Sequence, residues 1–288
     1  MKIIGRNPVL EALVAKSKIK KIYLNQEAVI DEKLQHILDL ATEQNVPVSR
    51  KSKRLINKLA ESPMHQGVLA VKEESTELSL EHFLGTFSGT PARTPTGIPT
   101  GTPAGTPAGT PATREQNMPV LGRTGFPFLL YIHDAFNEFN VGAIIRSAEA
   151  VGVDAVILPQ KLEITPNMVR SAMGATEHIV IIHEGLFQAI KQIRHLGIKI
   201  VGIELTGKDY YFNCDLTGPI MLLIGGEDKS LSTELQKKCD FFVKIPMKGK
   251  VNSLNMSVAA SIVLYDKVRQ EMFSAQVPIS SHTINSTI

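Results

Sequence analysis

Short apolar runs alternate along this chain with stretches whose apolar positions recur every three or four residues. In the N-terminal part, Asn7-Pro8 marks a helix start, with Asn7 as cap and Pro8 at the first helical position. Leu10, Leu13 and Val14 then follow at helical spacing. Residues 21–24 read as a strand, and residues 31–43 as an amphipathic helix built on Leu34, Ile37, Leu38 and Ala41. Residues 46–48 predict a short strand, 52–60 a helix and 67–71 another strand, the pattern of a small α/β unit. After residue 126 the alternation is more regular. Strands are predicted at 128–132, 155–158, 179–182, 198–203, 220–224 and 241–245, with helices at 141–150, 186–195 and 254–269. Near-continuous apolar strands separated by helices predict a parallel sheet covered on both faces, placing the chain in the α/β class. Ligands of such sheets sit beyond the carboxyl ends of the strands. The loops after Ile132, Ile203, Ile224 and Ile245 are therefore where chemistry is expected.

Between the two α/β parts runs SGTPARTPTGIPTGTPAGTPAGTPATREQN, residues 88–117, a degenerate Gly-Thr-Pro-Ala repeat almost without apolar side chains. Such a composition cannot bury enough surface to offset the entropy of ordering it. The expected organisation is a domain at 1–84, a linker at 85–125, a second domain at 126–272 and a Ser/Thr-rich flexible tail at 273–288.

Composition narrows the function classes. With 288 residues, 43% of them hydrophobic, the chain can build sizeable cores. Its apolar runs, such as residues 220–224, are too short to cross a bilayer, and Arg6 followed by Asn7-Pro8 interrupts any secretory signal. Cys214 and Cys239, the two cysteines, stand apart with no metal-ligand spacing, so reduced thiols, a cytoplasmic location and no metal are expected. The net charge of +3 is spread unevenly, with 13 Lys+Arg against 11 Asp+Glu in residues 1–84 and 15 against 16 in residues 126–288. Arg50, Lys51, Lys53, Arg54 and Lys58 form a basic cluster that fits either phosphate contacts or a solvated helix face.

Three of the sheet-end loops carry candidate chemistry. In NEFNVGAIIRSAEAVG, residues 137–152, Asn140 is read as the cap of a helix. Arg146 follows among Ile144, Ile145 and Ala148, either snorkelling to the surface or buried against an anionic partner. In LLIGGEDKSLS, residues 222–232, Gly225 and Gly226 at a strand end let a ligand approach the backbone, with Glu227 at the mouth of the sheet. The third, IPMKGKVNSLNMSVAAS, residues 245–261, holds Pro246, Lys248, Gly249 and Lys250 and then Ser253-Leu254-Asn255 before a helix. Either Ser253 or Asn255 suffices as a cap, so one polar residue is in surplus. Along that last helix, Leu254, Val258, Ile262 and Tyr265 make one apolar stripe, expected to face the helix's own sheet. Ser257, Ala260, Ser261 and Leu264 make a second, mostly small set where another backbone could approach.

Taken in order, these segments resemble the three motifs of the SpoU (TrmH-like) family of RNA ribose 2′-O-methyltransferases in the SPOUT superfamily. Motif one corresponds to residues 140–146, motif two to 224–227, and motif three to 245–247 with 253–255. The resemblance covers residues 128–270. It extends to the N-terminal part, where GRNPVLEAL at 5–13 and HQGV at 65–68 look like the family's substrate-binding domain. That domain points to the branch acting on a guanosine of 23S rRNA.

The resemblance implies a deep trefoil knot in the catalytic domain, a rare exception to unknotted topology. It also implies S-adenosylmethionine as cofactor, an RNA substrate, and a homodimer whose subunits share the site. Carried over by position, Gly225, Ile245, Met247 and Leu254 hold the cofactor, while Arg146, Asn140, Glu227, Ser253 and Asn255 serve catalysis. A guanidinium stays protonated, its pKa being above about 12, so Arg146 is better suited to stabilising a developing alkoxide than to taking a proton. Asp228 and Ser230 stand where many relatives have glycine, which strains that loop if it needs φ > 0 there. Other readings remain open: a tRNA ribose methyltransferase, a non-catalytic RNA-binding protein of the same fold, or a nicotinamide-dependent oxidoreductase. Against the last stands the absence of a glycine fingerprint at the first strand; methyl-transfer and cofactor-binding measurements separate the rest.

Overall fold

A computed structural model describes residues 1–73, 78–87, 127–134, 137–204, 207–225 and 232–276, which build two sheets. The Gly-Thr-Pro repeat, the motif-two residues Glu227, Asp228 and Ser230, and the tail from 277 onward lie outside the described residues.

The first sheet has four strands, β1 (Lys2–Ile4), β2 (Ile19–Asn25), β3 (Val48–Lys51) and β4 (Val68–Lys72), ordered β1-β4-β2-β3. β4 runs antiparallel to both neighbours, and β2 and β3 are parallel. Helices α1 (Arg6–Val14), α2 (Glu32–Glu43) and α3 (Lys53–Ala60) connect them. Val9, Leu13, Leu34, Ile37 and Ala41 close the main core with Ile22 and Leu24 of β2. Asp31 caps α2, accepting from the Leu34 amide at 2.9 Å.

The expected Asn7 cap does not form. α1 begins at Arg6 after Gly5, which takes φ 100°, and no side chain of the capping residue bonds the helix. The reason lies across the sheet. Gln66 Oε1 accepts from the Arg6 amide at 3.1 Å, and Arg6 Nε donates to the Gln66 carbonyl at 3.2 Å. The two N-terminal sequence signatures, 5–13 and 65–68, thus clasp one another. His65 completes the clasp while buried: Nδ1 accepts from the Gly67 amide at 2.9 Å and Nε2 lies 2.6 Å from Asn57 Oδ1. Because Nδ1 accepts, the ring is neutral with its proton on Nε2. Burial first, and then the charge of Lys53, lower its pKa. A histidine with a depressed folded pKa contributes stability that is present above its unfolded value, about 6.5, and lost as pH falls. The thermal midpoint is therefore expected to drop between pH 7.5 and 5.5. His65→Gln should flatten that slope in a pH series of melting curves.

The second sheet has seven strands, β5 (Phe128–Ile132), β6 (Ala155–Leu158), β7 (Val180–His183), β8 (Lys199–Ile203), β9 (Asp209–Tyr210), β10 (Ile220–Ile224) and β11 (Phe241–Lys244). Their order is β7-β6-β5-β10-β8-β11-β9, and every pairing is parallel. This is the predicted parallel sheet, with each fully buried strand reading as a continuous apolar run. One face is covered by α5 (Glu138–Ala150), α6 (Pro166–Ser171) and α9 (Met256–Gln276). The other is covered by α4 (Leu80–Gly85), α7 (Leu186–Arg194) and α8 (Thr233–Gln236). α4 lies before the Gly-Thr-Pro segment in sequence and was grouped with the first unit by the 1–84 boundary. Its Leu80, Phe83 and Leu84 nevertheless bury against Leu129 and Tyr131 of the second sheet, because that sheet's apolar face needs a third cover.

α9 presents the reverse of its expected orientation. Met256, Ala260, Val263 and Leu264 enter the core, whereas Val258 and Tyr265 are 47% and 56% exposed. Ala260 and Leu264, expected on a free face, are fully buried. The long buried strands already fill the space beneath the helix, so small residues fit against them better than a Tyr does.

The two units touch directly. The Lys72 ammonium, on β4, lies 2.6 Å from Glu177 Oε2, and the Glu177 side chain has 0% exposure. Ser17 Oγ donates to the same oxygen, while Oε1 has no hydrogen-bond partner among the described residues. Beside this pair, His178 Nε2 lies 3.1 Å from Glu11 Oε2. Val169 of α6 packs into the first unit's core.

Candidate active site

The carboxyl ends of β5, β10 and β11 lie along one edge of the sheet, since every pairing in it is parallel. Asn137, and not the expected Asn140, caps α5. Its Oδ1 accepts from the amides of Phe139 at 2.9 Å and Asn140 at 3.3 Å. Asn140 therefore sits in the first turn with its side chain released from capping, and its Oδ1 accepts from Asn255 Nδ2 at 2.9 Å. Asn255 in turn caps α9, its Oδ1 accepting from the Ser257 amide at 2.9 Å. The surplus polarity of the third segment resolves here, for Asn255 caps with one atom and bridges to Asn140 with the other. Ser253 is exposed and has no hydrogen bond among the described residues.

A second link ties the same helices one to two turns further along. Ser261 Oγ donates to Ser147 Oγ at 2.8 Å while Ser147 bonds the Ala143 carbonyl at 3.1 Å. Ser147 and Asn137 were not among the expected residues, and Ser261 was expected only as one of a small-residue stripe. Asn137 directly before an acidic first turn is a standard cap signal, whereas the serine pair needs the interhelical geometry to be seen.

Gly142 also acquires a role from packing. A Cβ placed there would lie 1.8 Å from Ser171 Oγ and 2.4 Å from the Met168 carbonyl. The glycine lets α6 press against α5, and Asn167 Nδ2 of α6 donates to Glu138 Oε2 at 2.7 Å in the same contact.

Arg146 is exposed and forms no ion pair with any described residue, which decides between the two readings of that position in favour of the surface. On an ideal helix the six residues from Asn140 turn through roughly 240°, so the two side chains leave different faces. Phe139, exposed, is seven residues from Arg146 and shares its face. On α9, Val258 and Tyr265 are exposed as well.

Gly225, Ile245, Met247 and Leu254 are half-buried. The backbone amides of Ile245, Met247 and Leu254 donate to no acceptor among the described residues. Burial, aided by Asp240, pushes the Cys239 thiol up to about 12, and burial also raises that of Cys214. Neither thiol is a thiolate nucleophile at neutral pH. Among the described residues no cluster of His, Cys, Asp or Glu could hold a metal, and no helix is long and apolar enough to cross a membrane.

Comparison with known proteins matches this arrangement. The family model for the SpoU rRNA Methylase family matches residues 127–265, and that for RNA 2′-O ribose methyltransferase substrate binding matches residues 2–78. A Staphylococcus aureus (strain MSSA476) protein assigned to the TrmH family of tRNA/rRNA methyltransferases is 30% identical over 271 residues, 93% of this chain and 95% of its own. YacO of Bacillus subtilis (strain 168), assigned to the same family, is 27% identical over the same shares. Among solved structures, the SpoU methyltransferase AviRb from Streptomyces viridochromogenes, in complex with AdoMet, superposes with a TM-score of 0.67 at 23% identity, covering 94% of this chain and 90% of that one. An AdoMet-bound rRNA methyltransferase from Sinorhizobium meliloti gives 0.66 at 20% identity, covering 93% and 86%.

Proposed function

The chain belongs to the SpoU rRNA methylase family, and from that membership we propose that it methylates the 2′-oxygen of a ribose in structured RNA, a guanosine of 23S rRNA being its target. The observation that carries the reading is the Asn140–Asn255 hydrogen bond, which brings motif one and motif three together at the carboxyl edge of a parallel sheet. S-adenosylmethionine, when bound, supplies a methyl group on a positively charged sulfur. Gly225, Ile245, Met247 and Leu254 would hold it, the last three offering backbone amides with no other acceptor among the described residues. Asn140 and Asn255 orient the acceptor ribose, with Ser253 and Glu227 beside them. Arg146, on a different face of α5 from Asn140, acts across the contact between two subunits and stabilises the charge that develops on the 2′-oxygen as its proton passes to water, a task for a cation that itself stays protonated. In-line positioning of the two reactants supplies the larger part of the acceleration. The remaining elements of this reading are the first unit, residues 1–73, as RNA-binding domain, the Gly-Thr-Pro segment as linker, a tail that starts only after α9 ends at Gln276 and not at 273 as expected, a trefoil knot around the cofactor loops, and a cytoplasmic location.

Transfer of labelled methyl from S-adenosylmethionine to 23S rRNA lacking modification, followed by mapping of 2′-O-methyl sites, tests the proposal. A modified tRNA in place of rRNA would move the target within the family, and methylation of a base atom would refute the ribose assignment.

A homodimer belongs to the same reading. Phe139 on α5 and Val258 and Tyr265 on α9 are large exposed apolar side chains, with Arg146 an exposed cation on the face of Phe139, the kind of surface a second subunit would cover. Tyr265→Arg is expected to yield a folded monomer with methyl transfer reduced at least tenfold, measured by sedimentation and turnover together. Ala260→Arg is unsuitable for this test, since Ala260 is buried in its own subunit.

A further inference from the structure

At the free edge of the seven-stranded sheet, β9 pairs with β11 so that Tyr210 lies opposite Lys244. Lys244 directly precedes Ile245, the first residue of the cofactor loop. The ring of Tyr210 stacks on that of Phe212, with centroids 5.4 Å apart and planes 11° from parallel. Tyr211 meets Phe212 edge-on at 5.1 Å and packs inward against the core, anchoring the pair from below. The Lys244 ammonium stands 5.0 Å from the centre of the Tyr210 ring. Tyr210 and Phe212 are nevertheless 39% and 46% exposed, so ring surface remains uncovered. Lys208, Lys248 and Lys250 are exposed on the flanking loops, and Asp209 is the exposed acid between them.

We propose that the Tyr210–Phe212 stack is a platform for an unpaired base of the RNA substrate, gripping a nucleotide next to the one whose ribose is methylated. This rests on the RNA methyltransferase reading and deepens it. An apolar edge cover would have no use for the Lys244 ammonium against its ring and exposed lysines on the adjoining segments, whereas a nucleotide presents both a flat π-face and a phosphate. Aromatic rings interleaved with cations along a groove are how single-stranded RNA is held without sequence preference. Adjacent strands are about 4.8 Å apart, so the stack stands within one strand spacing of Lys244 and beside the loop that leads to Ser253 and Asn255. A ribose can be presented for in-line attack only if its nucleotide leaves the helical stack. A ring pair beside the site replaces the stacking that a neighbouring base then loses.

The chain contains no tryptophan, so Phe212→Trp places a single reporter in the stack. Titration with a single-stranded oligoribonucleotide should quench its emission, and an abasic ribose-phosphate oligomer of equal length should not. An equal response to both, or to neither, would overturn the platform. The double variant Tyr210→Leu/Phe212→Leu is expected to raise KM for RNA roughly tenfold or more, the scale of one lost base–aromatic contact. Its affinity for S-adenosylmethionine and its kcat should stay within twofold. An unchanged KM would sink the proposal while leaving the methyltransferase reading intact. A shift in oligomeric state without RNA would make the stack a contact between copies of the chain, and would overturn it too. Should no RNA accept methyl groups, the methyltransferase reading fails, and the tryptophan titration still decides the platform.

Discussion

Arg146→Ala is expected to slow methyl transfer by roughly 10²- to 10³-fold, the usual cost of removing one group that stabilises developing charge. Cofactor affinity should stay within a few-fold, because Arg146 lies on α5, a different element from those that carry Gly225 and Ile245–Met247. Stability should hardly move. The side chain is exposed with no ion pair among the described residues, and surface substitutions of that kind stay within about 0.5 kcal/mol. The combination distinguishes a catalytic arginine from a structural one. Arg146→Lys should recover part of the rate, since it restores charge without the planar fork. Near-normal turnover in single-turnover assays of the alanine variant would refute the assignment.

Gly142→Ala is the second large effect, and here two principles pull in opposite directions. Helix propensity alone favours Ala over an interior Gly by about 0.8–1.0 kcal/mol. Packing opposes it, because the added Cβ would lie 2.4 Å from the Met168 carbonyl and 1.8 Å from Ser171 Oγ. Ser171 can turn away, but a backbone carbonyl cannot. Overpacking costs about 1–3 kcal/mol and can exceed that, so sterics wins. A fall in thermal midpoint of about 5–10 °C is expected, with activity falling as well because α5 also carries Asn140. Ser171→Gly in the same chain should recover only part of the loss. A melting curve shifted upward would show that propensity decides and that α6 simply moves.

Local pattern made most of this fold legible. The six predicted strands of the large sheet lie within a residue of where they form, because buried parallel strands leave continuous apolar runs. Where sequence reading went astray, a partner distant in the chain decided the outcome. Asn7 lost its capping role to Gln66, which lies 59 positions away and reaches the Arg6 amide. Asn140 lost its own to Asn137 and gained Asn255 instead. On α9 the apolar stripe and the small stripe were both readable, but which of them faced the sheet depended on how much room the strands left. Tyr210 and Phe212 carried no signal at all, since the stack exists only where β9 meets β11.

The contact between Lys72 and the fully buried Glu177 bears on how the two units move. Prising the units apart would have to rehydrate a carboxylate, an ammonium and the Ser17 hydroxyl together, and would uncover Val169 as well. Removing Lys72 alone would leave a buried charge uncompensated, a loss of about 3–5 kcal/mol in comparable cases. The N-terminal unit is therefore held fixed against the second. An RNA that touches both meets them already set against each other, so its binding carries no cost for closing a swinging domain.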